Sequence, residues 1–431
     1  MELTMRNRTL RSFAPLLAAA VLTMGLAMPA GAVTYYLRAA QTTLAMPDGA
    51  NVTVWGYALD SGPAVDDGTV TVPGPRLTVP VGDSNLTVIL KNRLPVIPGI
   101  ITDTSLMIPS LVPDLASSNN VVRGGVGGNR IISFQPVTAP GGNGTYSWSN
   151  VRPGTFLYQS GTHPQVQVQM GLYGAVVKDF SAGVAYDGVP YDQDFLVVFS
   201  EIDPLLHDEV AGGTYGTVGH STSTMYYEPK YFLINGAAFP ATTAFSSPAS
   251  SRVLLRFLNA GIQSHQPMLP GLYMDVVAEN GSALPYRRQR YELDLIPAMT
   301  LDALVNAPPQ TSPCSFALFD RMLHLTNNLQ SGGGMLTYVN LTNPSAAPGA
   351  VGPTLMATKS GTSMTFTWGD VAGADFYKVY MSPTATPQPF AQLAAQGSSG
   401  VSGATLPMPA GSLVFFKVAG AGTCGGEGPQ N

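Results

Sequence analysis

The sequence predicts an all-β chain, on three observations. Apolar and polar residues alternate with period two in short runs along most of its length. Gly, Pro, Asn and Asp cluster between those runs. Only 11% of the 431 residues are charged, against 47 Gly and 36 Pro. An average protein is about a quarter charged, and long solvent-facing helices would need more Lys and Glu than this chain has. No ten-residue stretch after the N-terminal segment keeps a helical period.

The first element is a targeting segment. Arg6, Arg8 and Arg11 form a basic region, Phe13 to Met28 an apolar one, and Ala30-Gly31-Ala32 a small-residue cleavage site. Residues 1–32 are therefore predicted to be removed, leaving an exported chain, periplasmic or extracellular, with no membrane span. The strand runs follow: NVTVWGYAL, LTVILKN, QVQVQMG, RVLLRFLN, SMTFTW and FYKVYM. In QVQVQM the valines and Met170 share one face and three glutamines the other, the pattern of a half-buried strand. Turn clusters such as PDGAN, VPGPR, APGGNG, AENGS and QSGGG separate the runs.

Residues 343–353, NPSAAPGAVGP, read as a linker, and a softer boundary lies between Lys178 and Gln193. The predicted organisation is one domain over 33–183, a second over 190–342, and a third over 354–431. The net charge of −5 and the single basic cluster, Arg287, Arg288 and Arg290, give no footprint for nucleic acid. Cys314 and Cys424 could pair in an exported chain, but they fall in different predicted domains, which disfavours a bridge.

Several ordered motifs carry a family resemblance. Val72-Pro73-Gly74-Pro75-Arg76-Leu77, then Val81-Gly82-Asp83 and Leu86 to Asn92, resemble the opening domain of multicopper oxidases. Pro153 to Tyr158 with Gly171-Leu172-Tyr173-Gly174 resembles that domain's end. Leu233-Ile234-Asn235-Gly236, Arg256 to Ala260, Val276 to Gly281 and Asp302-Ala303 resemble a later one. The resemblance implies two cupredoxin-like Greek-key β-sandwiches over about residues 33–340. The tail, with Trp368, Tyr377, Tyr380 and Phe415 to Val418, resembles a small fibronectin type III β-sandwich in which Trp368 would be core.

Multicopper oxidases use an electron-accepting copper held by one Cys, two His and an axial Met, and a three-copper cluster held by eight histidines. This chain has five: His163, His207, His220, His265 and His324. Five residues cannot supply eight ligands. Where the resemblance expects the first His pairs, Ser105, Met107, Gln159 and Gly161 stand. The family's HPxHxHG, laid over residues 265–271, keeps His265 alone. Its HCHxxxHxxxxM, laid over residues 324–335, keeps His324 and Met335 and puts Leu325 in place of the Cys. The residual metal-ligand candidates are thus His163, His265, His324 and Met335. No catalytic residue is assigned, and the remaining cofactor expectation is a single copper ion, with His163 and His265 meeting between domains and Met268 or a carboxylate completing the site. The competing reading has each histidine bonded to a turn backbone and Met335 in the core. His207 and His220 read as loop residues, and Asp66-Asp67 and Glu201/Asp203 as solvated loop carboxylates. No GxSxG, HExxH or phosphate-binding GxxxxGK occurs.

The sequence leaves three functions open. One is a non-catalytic, exported binding or assembly protein, its C-terminal domain meeting a protein or surface polymer. The second is a copper-dependent oxidoreductase with an atypical site, and the third a single-site copper carrier. Oligomeric state is not legible.

Overall fold

A computed structural model describes residues 31–421 except 115–121, 125–126, 128–129, 134–135, 309–313, 343–348, 372–373, 375, 386–392, 397–402 and 408–413. The predicted targeting segment and Cys424 lie outside the described residues, apart from Gly31 and Ala32, which begin the first strand.

The first sandwich opens with a four-stranded sheet, ordered Asn51–Asp60, Gly31–Ala45, Asp83–Arg93 and Asn143–Trp148. Its first strand runs parallel to Asp83–Arg93 and antiparallel to Asn51–Asp60. A three-stranded sheet of Leu77–Val79, Tyr173–Lys178 and Gly154–Gln159 belongs to the same sandwich. Trp55, Tyr57, Leu86, Val88, Leu90, Trp148 and Tyr158 face inward and share one core cluster. The two motif segments meet there: the Tyr158 hydroxyl donates to the Pro75 carbonyl at 2.8 Å, and a side chain at Gly74 would strike that hydroxyl. Asn92 ends its strand by donating to the Thr102 and Thr138 carbonyls.

The second sandwich has an eight-stranded sheet, running from Ser282–Arg290 at one edge through Arg252–Asn259 and Gln193–Ile202 to Gln330–Ser331. A four-stranded sheet of Phe245–Pro248, Leu336–Thr342, Cys314–Asp320 and Pro267–Met268 closes its core. Side-chain alternation sorts the strand Gln193–Ile202 cleanly. Val197 and Phe199 enter this core, while Val198 and Ile202 join a separate cluster with Leu157 and Tyr173 of the first sandwich. That cluster seals the two sandwiches together. The C-terminal unit is two three-stranded sheets around Phe366, Trp368, Tyr377, Val379 and Val418. Val351, from the predicted linker, is buried in the same cluster.

Three expectations are corrected. QVQVQM is not a strand: Pro164–Gln167 form a short helix, Val168 donates back to the Pro164 carbonyl, and every residue from Val166 to Met170 is buried. Pro164 at the first helical position presets the backbone, and burial on all sides erases any meaning in the alternation. A second helix, Pro204–Ala211, is capped by Asp203, whose carboxylate accepts from Leu205 N–H at 3.0 Å. Its Leu206 and Val210 pack into the first sandwich, not the second. Cys314 is disulfide-bonded, against the expectation that the cysteines stay apart. Among the described residues no helix is long and apolar enough to cross a membrane.

Arg256 is the hub between the sandwiches. Fully buried, it binds Asp179 at 2.7 Å, Asp194 at 2.8 Å and the Thr155 hydroxyl at 3.2 Å. Thr155 in turn donates to Asp302, which also accepts from Tyr186. Burial pushes the Asp302 carboxyl up despite the nearby guanidinium. Replacing Arg256 by Met strands these carboxylates in the interface, so we expect a loss of about 3–5 kcal/mol in denaturant-unfolding free energy, against a near-neutral Arg252→Ala at the exposed Asp192 pair.

Candidate functional site

The second core contains a chain of four ionisable side chains, Glu201, His265, Asp320 and His324. Glu201 and Asp320 are on inward-facing positions of strands in opposite sheets: Glu201 follows Val197 and Phe199 in parity, and Asp320 follows Phe316 and Leu318. His265 lies in the loop after Arg252–Asn259, and His324 in the turn after Asp320.

The distances define one hydrogen-bonded array. His265 Nε2 lies 2.6 Å from Glu201 Oε1, and His265 Nδ1 lies 3.1 Å from Asp320 Oδ2. His324 Nδ1 lies 2.5 Å from that same Asp320 oxygen. Glu201 also accepts from the Ile262 and Gln263 N–H groups, and Asp320 from those of Gln266 and Met322. No acceptor is left bare, which is the condition for keeping carboxylates in a core. Gly261 makes room for the array: a Cβ there would collide with both Glu201 carboxylate oxygens. Phe199 stacks on His265 and Phe232 on His324.

Burial alone would lower the His265 pKa. Hydrogen bonds and charge from Asp320 and Glu201 outweigh it and push the pKa up to about 9. Burial alone would raise the Asp320 carboxyl, but hydrogen bonds from His265, His324 and Gln266 N–H hold it well below the usual carboxylate range. At neutral pH His265 is thus an imidazolium donating to a carboxylate on each side.

Of the four ligand candidates, three converge and one does not. Met335 is buried beside the array, its N–H donating to the His324 carbonyl and its carbonyl accepting from Asp320 N–H. His163 does not meet His265: it sits in a left-handed turn near Tyr215, with Nδ1 buried and unpartnered. Burial lowers its pKa. Asp320, which the motif overlay did not include, is the residue between the two imidazoles. His207 is not in a loop but buried in the helix Pro204–Ala211, its Nδ1 2.7 Å from the Thr53 carbonyl. His220 pairs with Glu209 at 3.2 Å. Glu201 and Asp203 are both buried, contrary to the solvated reading, and Asp66 pairs with buried Lys91 at 2.9 Å.

The two segments that the resemblance marks for His pairs lie side by side. Met107 and Gln159 exchange backbone hydrogen bonds of 2.8 and 2.9 Å. Around them Thr162 donates to Ser105, and Ser160 to Gln167, whose amide donates to the Ile101 and Asp103 carbonyls. Hydroxyls and an amide hold this region together.

Solved structures with the same architecture carry copper in their names. A blue copper oxidase from Nitrosomonas europaea is 17% identical, covering 72% of this chain and 86% of its own, with a TM-score of 0.56. The fold is that of the multicopper oxidases. The multicopper oxidase mgLAC is 19% identical over 73% of this chain and 88% of its own, with a TM-score of 0.58. A copper nitrite reductase from Nitrosomonas europaea is 18% identical over 73% and 95%, with a TM-score of 0.51. No family model and no curated relative matches the chain. At these identities the cupredoxin-like fold alone is shared.

The array makes stability depend on pH in a defined direction. The raised His265 pKa contributes on the order of 3 kcal/mol, fully present below pH 6.5 and lost as the pH rises through about 9. Asp320's contribution has the opposite sense, present above pH 3.8 and lost on acidification. Denaturant titrations from pH 6.5 to 9.5 should therefore show a steeper loss in the native chain than in His265→Gln. Parallel slopes would refute the imidazolium assignment.

Proposed function

We propose that this chain is an exported, non-catalytic binding or assembly protein built on a cupredoxin scaffold, with a hydrogen-bonded polar core in place of a redox copper. One observation carries the reading: Asp320 Oδ2 contacts the Nδ1 atoms of both His265 and His324. Both nitrogens of His265 and Nδ1 of His324 are hydrogen-bonded to carboxylates. A blue copper site also needs a thiolate. The residue shared by the two imidazoles is Asp320, not a cysteine, and Cys314 is disulfide-bonded at the other end of the strand. Five histidines cannot furnish a three-copper cluster. Copper redox centres do not fit this donor set. The basic and apolar N-terminal segment supports export, and we assign the C-terminal unit, with Trp368 packed 5.3 Å from Tyr377, as a fibronectin type III-like module.

A second reading, a single divalent ion without turnover, draws on the proximity of His265, Asp320 and His324, whose ligand atoms lie within 4.8 Å of one another. Glu201 on the far nitrogen of His265 is also the usual outer partner of a metal-bound imidazole.

Elemental analysis of chain expressed in copper- and zinc-supplemented medium separates these. We expect far less than one equivalent of either metal, no change in melting temperature on chelation, and no oxygen uptake with phenols. One tightly held ion that is lost in His324→Ala would replace the first reading with the second. Oxygen-dependent turnover would overturn both.

A further inference from the structure

Two cavities meet along the seam between the sandwiches. The first, of about 210 Å³, has Gln159, Gln165 and Gln169 of the first sandwich on one wall and Asn259 to Ile262 of the second on the other. The second, of about 380 Å³, is lined by Ser110 and Arg152 on one side and Asn280 and Ser282 on the other. Ala298 borders both, so the two lie next to each other along the seam.

Two features of its lining point to a ligand. The side-chain amides of Gln159, Gln165 and Gln169 make no hydrogen bond to any described residue, although Gln169 is only 6% exposed. A nearly buried amide facing a cavity with no partner leaves a donor and acceptors for something else. Among the described residues Arg152 is the only ionisable one lining either cavity, and no described carboxylate lies within ion-pair distance of it. Its guanidinium donates to the carbonyls of Gly281, Ser110 and Asn280 and lies over Phe156. Three of its five N–H donors are used in this way. Two remain for a ligand, and the positive charge has no described carboxylate to balance it.

We propose that this seam is a peptide-binding site, taking an extended segment with its main-chain amides against the glutamines and a carboxylate at Arg152. The proposal rests on the reading of the chain as a binding protein and supplies its ligand class. Primary amides match peptide units donor for acceptor. Pro164, Val168, Ile262 and Pro297 give apolar contact for small side chains. A sugar ring would ask for an aromatic face, and no described residue lining either cavity supplies one.

The test uses the full chain and two pools of fluorescent hexapeptides that differ only in Asp or Asn at one position, read by anisotropy. The acidic pool should bind saturably and about tenfold more tightly than its amide twin, the value of one charge-assisted hydrogen bond pair. Arg152→Gln should erase that difference. Because Arg152 also ties two sandwiches, Gln165→Glu serves as the second variant. Gln165 is exposed and unbonded, so this change should weaken the acidic pool about tenfold and leave the melting temperature in place. Absence of saturable binding by either pool would overturn the proposal, as would binding that neither variant alters. Displacement of the peptides by galacturonate oligomers with the same variant sensitivity would overturn the peptide assignment. Metal content and oxygen uptake are read on the same sample: metal-free chain without peptide binding sinks this proposal alone, while an oxygen-consuming copper protein sinks the function it rests on.

Discussion

The second sandwich is clamped by a single imidazolium held between two carboxylates. Glu201 belongs to the eight-stranded sheet and Asp320 to the four-stranded one, so His265 fastens the two layers across the core. Apolar packing is non-directional and would allow those layers to slide. A hydrogen-bonded charge array has one satisfactory geometry, and each acid is met by backbone N–H groups that only this loop course provides. The loop 260–266 and the turn 321–324 follow from that requirement.

Arg256 does the corresponding work between the sandwiches, on a different principle. There one cation gathers carboxylates from the connecting segment and from the second sandwich while reaching Thr155 of the first. The apolar cluster around Leu157, Val198 and Leu233 supplies contact area, and Arg256 supplies registry. The glutamine-lined groove lies along the same joint, so the geometry of its walls depends on both the cluster and the hub.

Much of the fold was legible because strand alternation and turn residues report burial directly. The runs at 51–59, 86–92, 252–259, 363–367 and 376–381 are strands. QVQVQM failed for the reason alternation always can: when both faces are buried the period carries no information, and Pro164 was the better signal. The candidate site was half legible. His265, His324 and Met335 were found through motif positions, but Glu201 and Asp320 were missed. Each lies two residues beyond a core Phe or Leu on its own strand, so parity already pointed both acids inward. Reading Glu201 as half of a solvated pair with Asp203 hid the first, and Asp320 stands in no motif that would have marked the second. The motif overlay begins at His324, so it passes over the acid that reaches both imidazoles, which lies four residues earlier at the end of its strand.

Gly261 carries a consequence for sequence variation. Its backbone passes so close to the Glu201 carboxylate that no side chain fits there. A descendant of this chain that keeps glutamate at 201 has to keep glycine at 261. One that gains a methyl group at 261 has to lose or shorten the acid, and with it the charge partner of His265. The two positions are separated by sixty residues of chain, yet they can drift only as a pair.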